Sequence, residues 1–114
     1  MVIGKGKEAY QLWLVLHRNF PKTERFGLGQ KIDTIFLEIL ELGYSAGYLP
    51  PEQKTVALGK TITRLDILKF LFQIAWENKL IPNNKYIILS QKLEEIGRML
   101  GGWKKGLLNK TPVN

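Results

Sequence analysis

Few residues of this 114-residue chain could act as nucleophiles, as general acids or bases, or as metal ligands. The chain has no cysteine and a single histidine, His17, which excludes thiolate chemistry, thiolate zinc sites and pairs of histidine ligands. No spacing indicates a Ser-His-Asp arrangement, and no Glu-x-x-His pair of a di-metal bundle is present. The closely spaced acids are interpreted as solvent-facing helix residues, namely Glu38 with Glu41 and Glu94 with Glu95. We therefore predict a protein that is not an enzyme and has no metal and no cofactor.

The side chains in excess are lysine and arginine, whose chemistry is the binding of anions. There are 17 of them against 10 Asp and Glu, a net charge of +7. The charge is +4 over residues 1–31, −4 over 32–53, +3 over 54–95 and +4 over 96–114. Because lysine and arginine neutralise phosphates and release counterions, nucleic acid is the partner that this pattern favours. The alternative is a solvated surface with a few spare lysines.

Four helices are predicted to position these charges. Pro21, Pro50-Pro51 and Pro82 divide the chain, since the residue before a proline disfavours the helical conformation. Between the prolines, apolar residues recur at spacings of three and four, and no segment alternates like a strand. The helices are expected at about residues 5–20, 23–47, 52–79 and 83–106, with a mobile tail over 107–114.

The four helices fit one domain, because a single domain has roughly 100–200 residues. Short connections favour an all-α, antiparallel up-down-up-down four-helix bundle. In that arrangement the first and last helices are neighbours, and the two basic ends of the chain would share one flank. The expected phosphate contacts are Lys5, Lys7, Arg18, Lys22, Arg25, Lys31, Arg98, Lys104 and Lys105. Arg25 and Arg98 could instead be structural ion-pair partners, Arg25 with Glu24 or Glu41.

Apolar residues exceed what one core-facing stripe requires, which predicts self-association through a second buried face. The third helix carries several of these extra residues: Ile67, Phe70, Leu71, Ile74 and Trp76. In the last helix, Gly97 and Gly101 lie four residues apart on one face, where they would let another helix approach closely. Trp103 continues the apolar stripe and is expected to pack with them.

The sequence predicts no membrane span and no secretory signal. The longest stretch without charge, residues 42–51, is half the roughly 20 apolar residues that a transmembrane helix needs. The first seven residues contain no apolar region of a signal peptide. We expect a cytoplasmic protein without a membrane partner.

Two stretches resemble a known family of four-helix bundles. Residues 19–32, with Phe20-Pro21, Glu24-Arg25 and Phe26-Gly27-Leu28, resemble the junction of the first two helices in the family that includes the proteins encoded in intervening sequences of bacterial 23S ribosomal RNA genes. Residues 93–103, from Leu93 to Trp103, are similar to the C-terminal signature of the accessory variability determinant (Avd) proteins of diversity-generating retroelements.

The second helix favours the Avd branch of this family. The ribosomal branch usually has a run of the Ser-Ile-Pro-Ser-Asn type there, whereas residues 36–42 read Phe-Leu-Glu-Ile-Leu-Glu-Leu. The resemblance implies a basic four-helix bundle that forms a homopentameric ring and has no catalytic site. It also implies binding to a reverse transcriptase and to its template-repeat RNA, in support of mutagenic cDNA synthesis. The alternatives are an RNA-binding protein of the ribosomal intervening-sequence type and an oligomeric scaffold that binds only protein.

Overall fold

Four long α-helices and one short helix form the protein, which the computed structural model describes over residues 2–110. No strand occurs in that range, so the predicted all-α class is confirmed. The helices are α1 (Val2–Arg18), α2 (Lys22–Phe26), α3 (Leu28–Ala46), α4 (Pro51–Glu77) and α5 (Asn83–Lys110).

The long helices form an antiparallel bundle in which α1 packs against α3 and α5, and α4 packs against the same two helices. α4 and α5 run in opposite directions. Lys69 contacts Glu94, and further along α4 Trp76 stacks on Tyr86, which lies earlier in α5. The bundle measures 54 × 23 × 20 Å. We call the end with α2 the connection end, and the opposite end, where α5 finishes, the C-terminal end. The predicted four-helix bundle is confirmed.

The largest differences from the predicted helices lie at the start of α1, at Gly27 and at the end of α5. α1 begins at Val2 rather than near residue 5. The predicted second helix is divided into α2 and α3, because Gly27 has φ −102° and ψ −101° and interrupts the helical backbone. α5 extends through residues 107–110 of the predicted tail, where Leu107 packs against the core. Residues 111–114 of that tail lie outside the described residues.

The centre of the core is the fully buried indole of Trp13 on α1. It meets Phe20 and Phe72 edge to face, with ring centroids 5.4 and 5.3 Å apart, an arrangement that aromatic rings favour. Its Nε1–H donates to the Asp33 carboxylate of α3 at 3.1 Å. The Tyr10 hydroxyl donates to the same carboxylate at 2.7 Å. Burial, together with this hydrogen bond and the charge of Asp33, raises the pKa of Tyr10 to about 12.

The glycines that allow close packing are not those predicted in α5. A Cβ at Gly101 would meet nothing within 4 Å, so its predicted role in close helix approach is wrong for the single chain. Gly97 faces Leu65 of α4 at an ordinary van der Waals distance of 3.4 Å from the added Cβ. Close approach occurs instead at Gly29, where the Cβ would lie 2.6 Å from Nε2 of His17. Trp103 packs against the core as predicted.

Alanine substitutions at Gly29 and Gly101 should therefore change stability in opposite directions. Gly29→Ala forces its methyl against the His17 ring, which is held between Trp13 and Phe20, and should lower the free energy of unfolding by about 1–3 kcal/mol. At Gly101 the alanine methyl would meet open space and increase helix propensity, so Gly101→Ala should raise the free energy of unfolding by about 1 kcal/mol. Urea unfolding followed by circular dichroism measures both. A stabilised Gly29→Ala variant would contradict the described packing.

Candidate nucleic-acid interface

Positive charge is concentrated on one pair of neighbouring helices. Together α1 and α5 carry nine Lys and Arg and three Glu, a net charge of +6. The opposite pair, α3 and α4, carries five bases and six acids, a net charge of −1. The predicted adjacency of the first and last helices is confirmed, because α1 packs against α5. Most of the +7 charge of the chain therefore belongs to one side of the bundle.

All three acids on this side are bound by lysines of the same chain. Lys5 lies 4.0 Å from Glu8 and 3.6 Å from Glu95, and Lys69 of α4 lies 3.0 Å from Glu94. The hydrogen bond and charge of Lys69, with a smaller contribution from Arg98, lower the pKa of Glu94. Lys5 was predicted to contact phosphate, but it lies between two carboxylates and is already paired.

The other eight bases of α1 and α5 have no carboxylate within 4 Å among residues 2–110. Five of them were predicted as phosphate contacts: Lys7, Arg18, Arg98, Lys104 and Lys105. The sequence analysis missed three: Lys85, Lys92 and Lys110. Lys85 and Lys92 could have been included in the prediction, because the apolar periodicity already placed residues 85 and 92 on the helix beside α1. Arg98 forms no close ion pair with Glu94, although its charge contributes to the lowered pKa there.

The predicted bases do not form one continuous flank but lie in two groups. Because α1 and α5 are antiparallel, the end of α1 lies beside the start of α5, and Lys5 lies beside Glu95. Lys104 is nine residues beyond that contact, about 13 Å further along the axis. The connection end therefore holds Arg18, Lys22, Arg25 and Lys31. The half of the bundle toward the C-terminal end holds Lys5, Lys7, Arg98, Lys104 and Lys105.

The connection end is fixed by hydrogen bonds from two side chains. The Arg25 guanidinium donates to the carbonyl oxygens of Arg18 and Phe20, both at 3.2 Å, and so binds the C-terminal end of α1. The His17 ring donates from Nε2 to the carbonyl of Arg25 at 3.2 Å and stacks on Trp13 with centroids 4.7 Å apart. Arg25 is therefore structural, but its partners are carbonyl groups and not Glu24 or Glu41.

The predicted motif around this connection has a clear structural basis. Phe20 is buried against Trp13, and Pro21 precedes the first residue of α2 with φ −54°. Gly27 separates α2 from α3, and Leu28 begins α3 with its side chain against the core. Phe26, between them, is 69% exposed. The motif thus directs the chain from α1 into α3 and leaves one aromatic ring in solvent.

An apolar groove lies among α1, α3 and α5 at the C-terminal end. Its lining includes Ile3, Met99, Trp103 and two exposed tyrosines, Tyr44 and Tyr48. The two tyrosine hydroxyls are 3.4 Å apart and share a hydrogen bond, which raises the pKa of Tyr48.

Other lysines adjoin this end of the bundle. The Lys54 amine lies 5.9 Å from the centroid of the Trp103 ring, within cation–π range. The Lys104 amine lies over Gly59 of α4, 3.5 Å from the position of a Cβ there. The C-terminal end thus combines positive charge with exposed apolar surface.

Comparison with known proteins identifies the family. The bAvd-like family matches residues 1–107, which is nearly the whole chain. The chain belongs to the bAvd-like family. The resemblance to Avd proteins is confirmed, and this bAvd-like protein is an Avd-type accessory protein of a non-catalytic family. A comparison with curated proteins finds no match.

Metal sites and membrane-spanning helices were considered for the described residues of the bAvd-like protein. Within residues 2–110, no three His, Asp or Glu side chains are placed to hold a metal ion. No helix in the same range has the length and apolar character to cross a membrane.

Neutralising Arg25 should destabilise the bAvd-like protein, whereas neutralising Lys22 should not. Arg25→Gln removes two donors to the end of α1 and should lower the free energy of unfolding by about 1 kcal/mol. Lys22→Gln removes the same charge from the same helix, but the Lys22 side chain makes no ion pair or hydrogen bond within residues 2–110. Its effect should stay within about 0.5 kcal/mol. Equal losses in urea unfolding would argue against the structural role of Arg25.

Proposed function

We propose that this bAvd-like protein is the non-enzymatic accessory subunit of a diversity-generating retroelement. It binds the reverse transcriptase and the template-repeat RNA and supports mutagenic cDNA synthesis. Family membership supports the accessory role. The observation that carries the RNA-binding role is the net charge of +6 on α1 and α5, where all three acids are already paired.

The arrangement of this charge suits a nucleic-acid backbone better than an acidic protein segment. The unpaired bases extend along α5 from Lys85 to Lys110, a helix of 28 residues. At 1.5 Å per residue this helix is about 42 Å long, a distance over which a phosphate backbone presents regularly spaced charges. A single acidic peptide would need carboxylates over the same length to neutralise as many of these bases. Contacts of this kind position RNA without reading its sequence.

A homopentameric ring is part of the proposal. Several large apolar side chains are exposed in the single chain, among them Tyr48 at 76% and Val56 and Phe70 at 60% each. The groove at the C-terminal end adds Tyr44 and Met99 to this surface. Repeating the basic side of α1 and α5 around a ring would join five copies of it into one continuous surface for RNA. Native mass spectrometry should then give five times the chain mass of 13.1 kDa.

RNA binding by the protein should weaken steeply with salt. If about five phosphates are neutralised for each site on single-stranded RNA, log K should fall against log salt concentration with a slope near −3.5. Fluorescence anisotropy with a labelled template-repeat RNA at several salt concentrations measures the slope. An affinity that is unchanged from low to high salt would rule out the basic side as the RNA-binding surface.

Charge reversal at the C-terminal end should weaken RNA binding and preserve the oligomer. Replacing Lys104 and Lys105 with Glu converts attraction to repulsion on α5, so the mobility shift of the RNA should be reduced while the native mass stays the same. The matched single variants are Lys105→Glu on the basic side and Lys60→Glu in the α3–α4 groove. Equal weakening by these two single variants would show that only the total charge matters.

Co-purification with the reverse transcriptase, together with the RNA mobility shift, distinguishes the proposed function from its main alternative, a scaffold that binds only protein. A protein that forms a stable complex with the polymerase but shifts no RNA at low salt would be a protein-only scaffold. Binding of both the polymerase and the RNA is the result that the proposed function requires.

A further inference from the structure

The five phenylalanines of the chain divide into three core residues and two exposed ones. Phe20, Phe36 and Phe72 are each 1% exposed and form part of the aromatic core. Phe26 is 69% exposed and Phe70 is 60% exposed. Burying a phenylalanine side chain is worth about 1.5–3 kcal/mol, and the fold does not use this contribution at either exposed position.

The two exposed rings have opposite electrostatic surroundings. Phe70 on α4 lines a groove whose charged side chains are Asp66 and the ion pair of Lys69 with Glu94, a net charge of −1. Phe26 lies four residues after Lys22, so the two side chains share one face of α2. Lys31 follows in the first turn of α3, where its N–H donates to the carbonyl of Gly27. Residues 18–31 hold four bases and a single acid, so a polyanion would be attracted to Phe26 and not to Phe70.

The backbone that carries Phe26 is anchored at the preceding residue, Arg25, through both its side chain and its carbonyl. The side chain of the preceding residue, Arg25, binds two carbonyls at the end of α1, and its own carbonyl accepts from His17. His17 is in turn stacked on the fully buried Trp13. Because the backbone beside Phe26 is anchored, less freedom of the chain is lost when a flat ligand packs on the ring, and that favours binding.

We propose that Phe26 is a stacking platform for an unpaired base of single-stranded RNA, with Lys22, Arg18 and Lys31 binding the adjoining phosphates. Stacking on an aromatic ring beside a basic backbone track is how proteins hold single strands without sequence preference. Duplex RNA keeps its bases inside the helix and cannot use this ring. The inference rests on the proposed RNA-binding function and adds the form of RNA that is bound. It also accounts for the one aromatic ring of the connection motif that the fold leaves exposed.

The test compares Phe26→Ala with Phe26→Trp, which keeps an aromatic face, and with Phe70→Ala, which makes the same truncation at the other exposed ring. The probe is a single-stranded RNA oligonucleotide that contains 2-aminopurine, whose fluorescence is quenched when the base stacks. A duplex of the same length serves as the second ligand. Circular dichroism and urea unfolding confirm that each variant is folded.

Phe26→Ala should bind the single strand about tenfold more weakly and lose most of the quenching, since one stacked base is removed. Its salt slope should stay that of the wild type, because the phosphate contacts remain. Phe26→Trp should retain both affinity and quenching. Phe70→Ala should behave as the wild type, and duplex binding should be the same for all four proteins.

The outcomes that overturn the inference are distinct from failure of the proposed function. Wild-type affinity and quenching in Phe26→Ala, in a protein that binds RNA, would remove the stacking platform and leave the RNA-binding function intact. A Phe26→Ala variant with unchanged RNA affinity but an altered native mass would assign Phe26 to a contact between copies of the chain. A wild-type protein that binds no RNA at low salt would overturn both the proposed function and this inference.

Discussion

The hydrogen bond from the Trp13 indole to the Asp33 carboxylate is the interaction on which the rest of the structure depends. It joins α1 to α3 at a fully buried ring, and the same ring packs edge to face on Phe72 of α4. Removing the acceptor would leave a buried N–H unsatisfied, which costs about 1–3 kcal/mol. Trp13 also contributes to the surface, because it stacks on His17 and the His17 ring donates to the carbonyl of Arg25. The position of the exposed connection thus follows from the packing of the core.

The pairing of charges explains why one side of the bundle is basic and the other nearly neutral. On α3 and α4, Glu38 and Arg64 form an ion pair at 3.0 Å, and the same groove holds Glu41 and Lys60. On α1 and α5, Lys5 is shared by two glutamates, and the third glutamate is held by a lysine from α4. Exposed pairs of this kind add little stability, at most about 1 kcal/mol each. Their effect is to offset most of the negative charge on the basic side, two lysines against three glutamates, so that the remaining lysines and arginines act together on an anionic partner.

The features that depend on the spacing of apolar residues were predictable from the sequence. Spacings of three and four gave the four long helices, and the short connections gave their antiparallel order and the contact between the first and last helices. The break at Gly27 depends on one residue's backbone angles, and a continuous apolar pattern across it hides the break. The pair formed by Lys5 and Glu95 joins residues 90 positions apart, so only the axial alignment of α1 and α5 reveals it. The same alignment divides the expected basic flank into two groups.

Features that depend on the neighbours of a single residue were the least predictable. Gly97 and Gly101 have the same spacing as a close-packing pair, yet one faces Leu65 and the other faces open space. Phe26 reads as one more aromatic in an apolar motif, whereas Phe20 enters the core and Phe26 does not. Arg25 was expected to contact phosphate or, alternatively, to pair with a carboxylate, but its guanidinium donates to the carbonyls of Arg18 and Phe20. For Phe26 and Arg25 the outcome was decided by where the chain turns at the connection end.

We propose that RNA binds the side of the bundle formed by α1 and α5, including the connection end with Lys31, and not the groove between α3 and α4. Ultraviolet cross-linking of the wild-type protein to single-stranded template-repeat RNA, followed by mass spectrometry of the peptides, tests it most directly. We expect cross-links within residues 18–31 and within residues 98–110. Cross-links confined to the α3–α4 groove, around Lys60 and Arg64, would contradict the account.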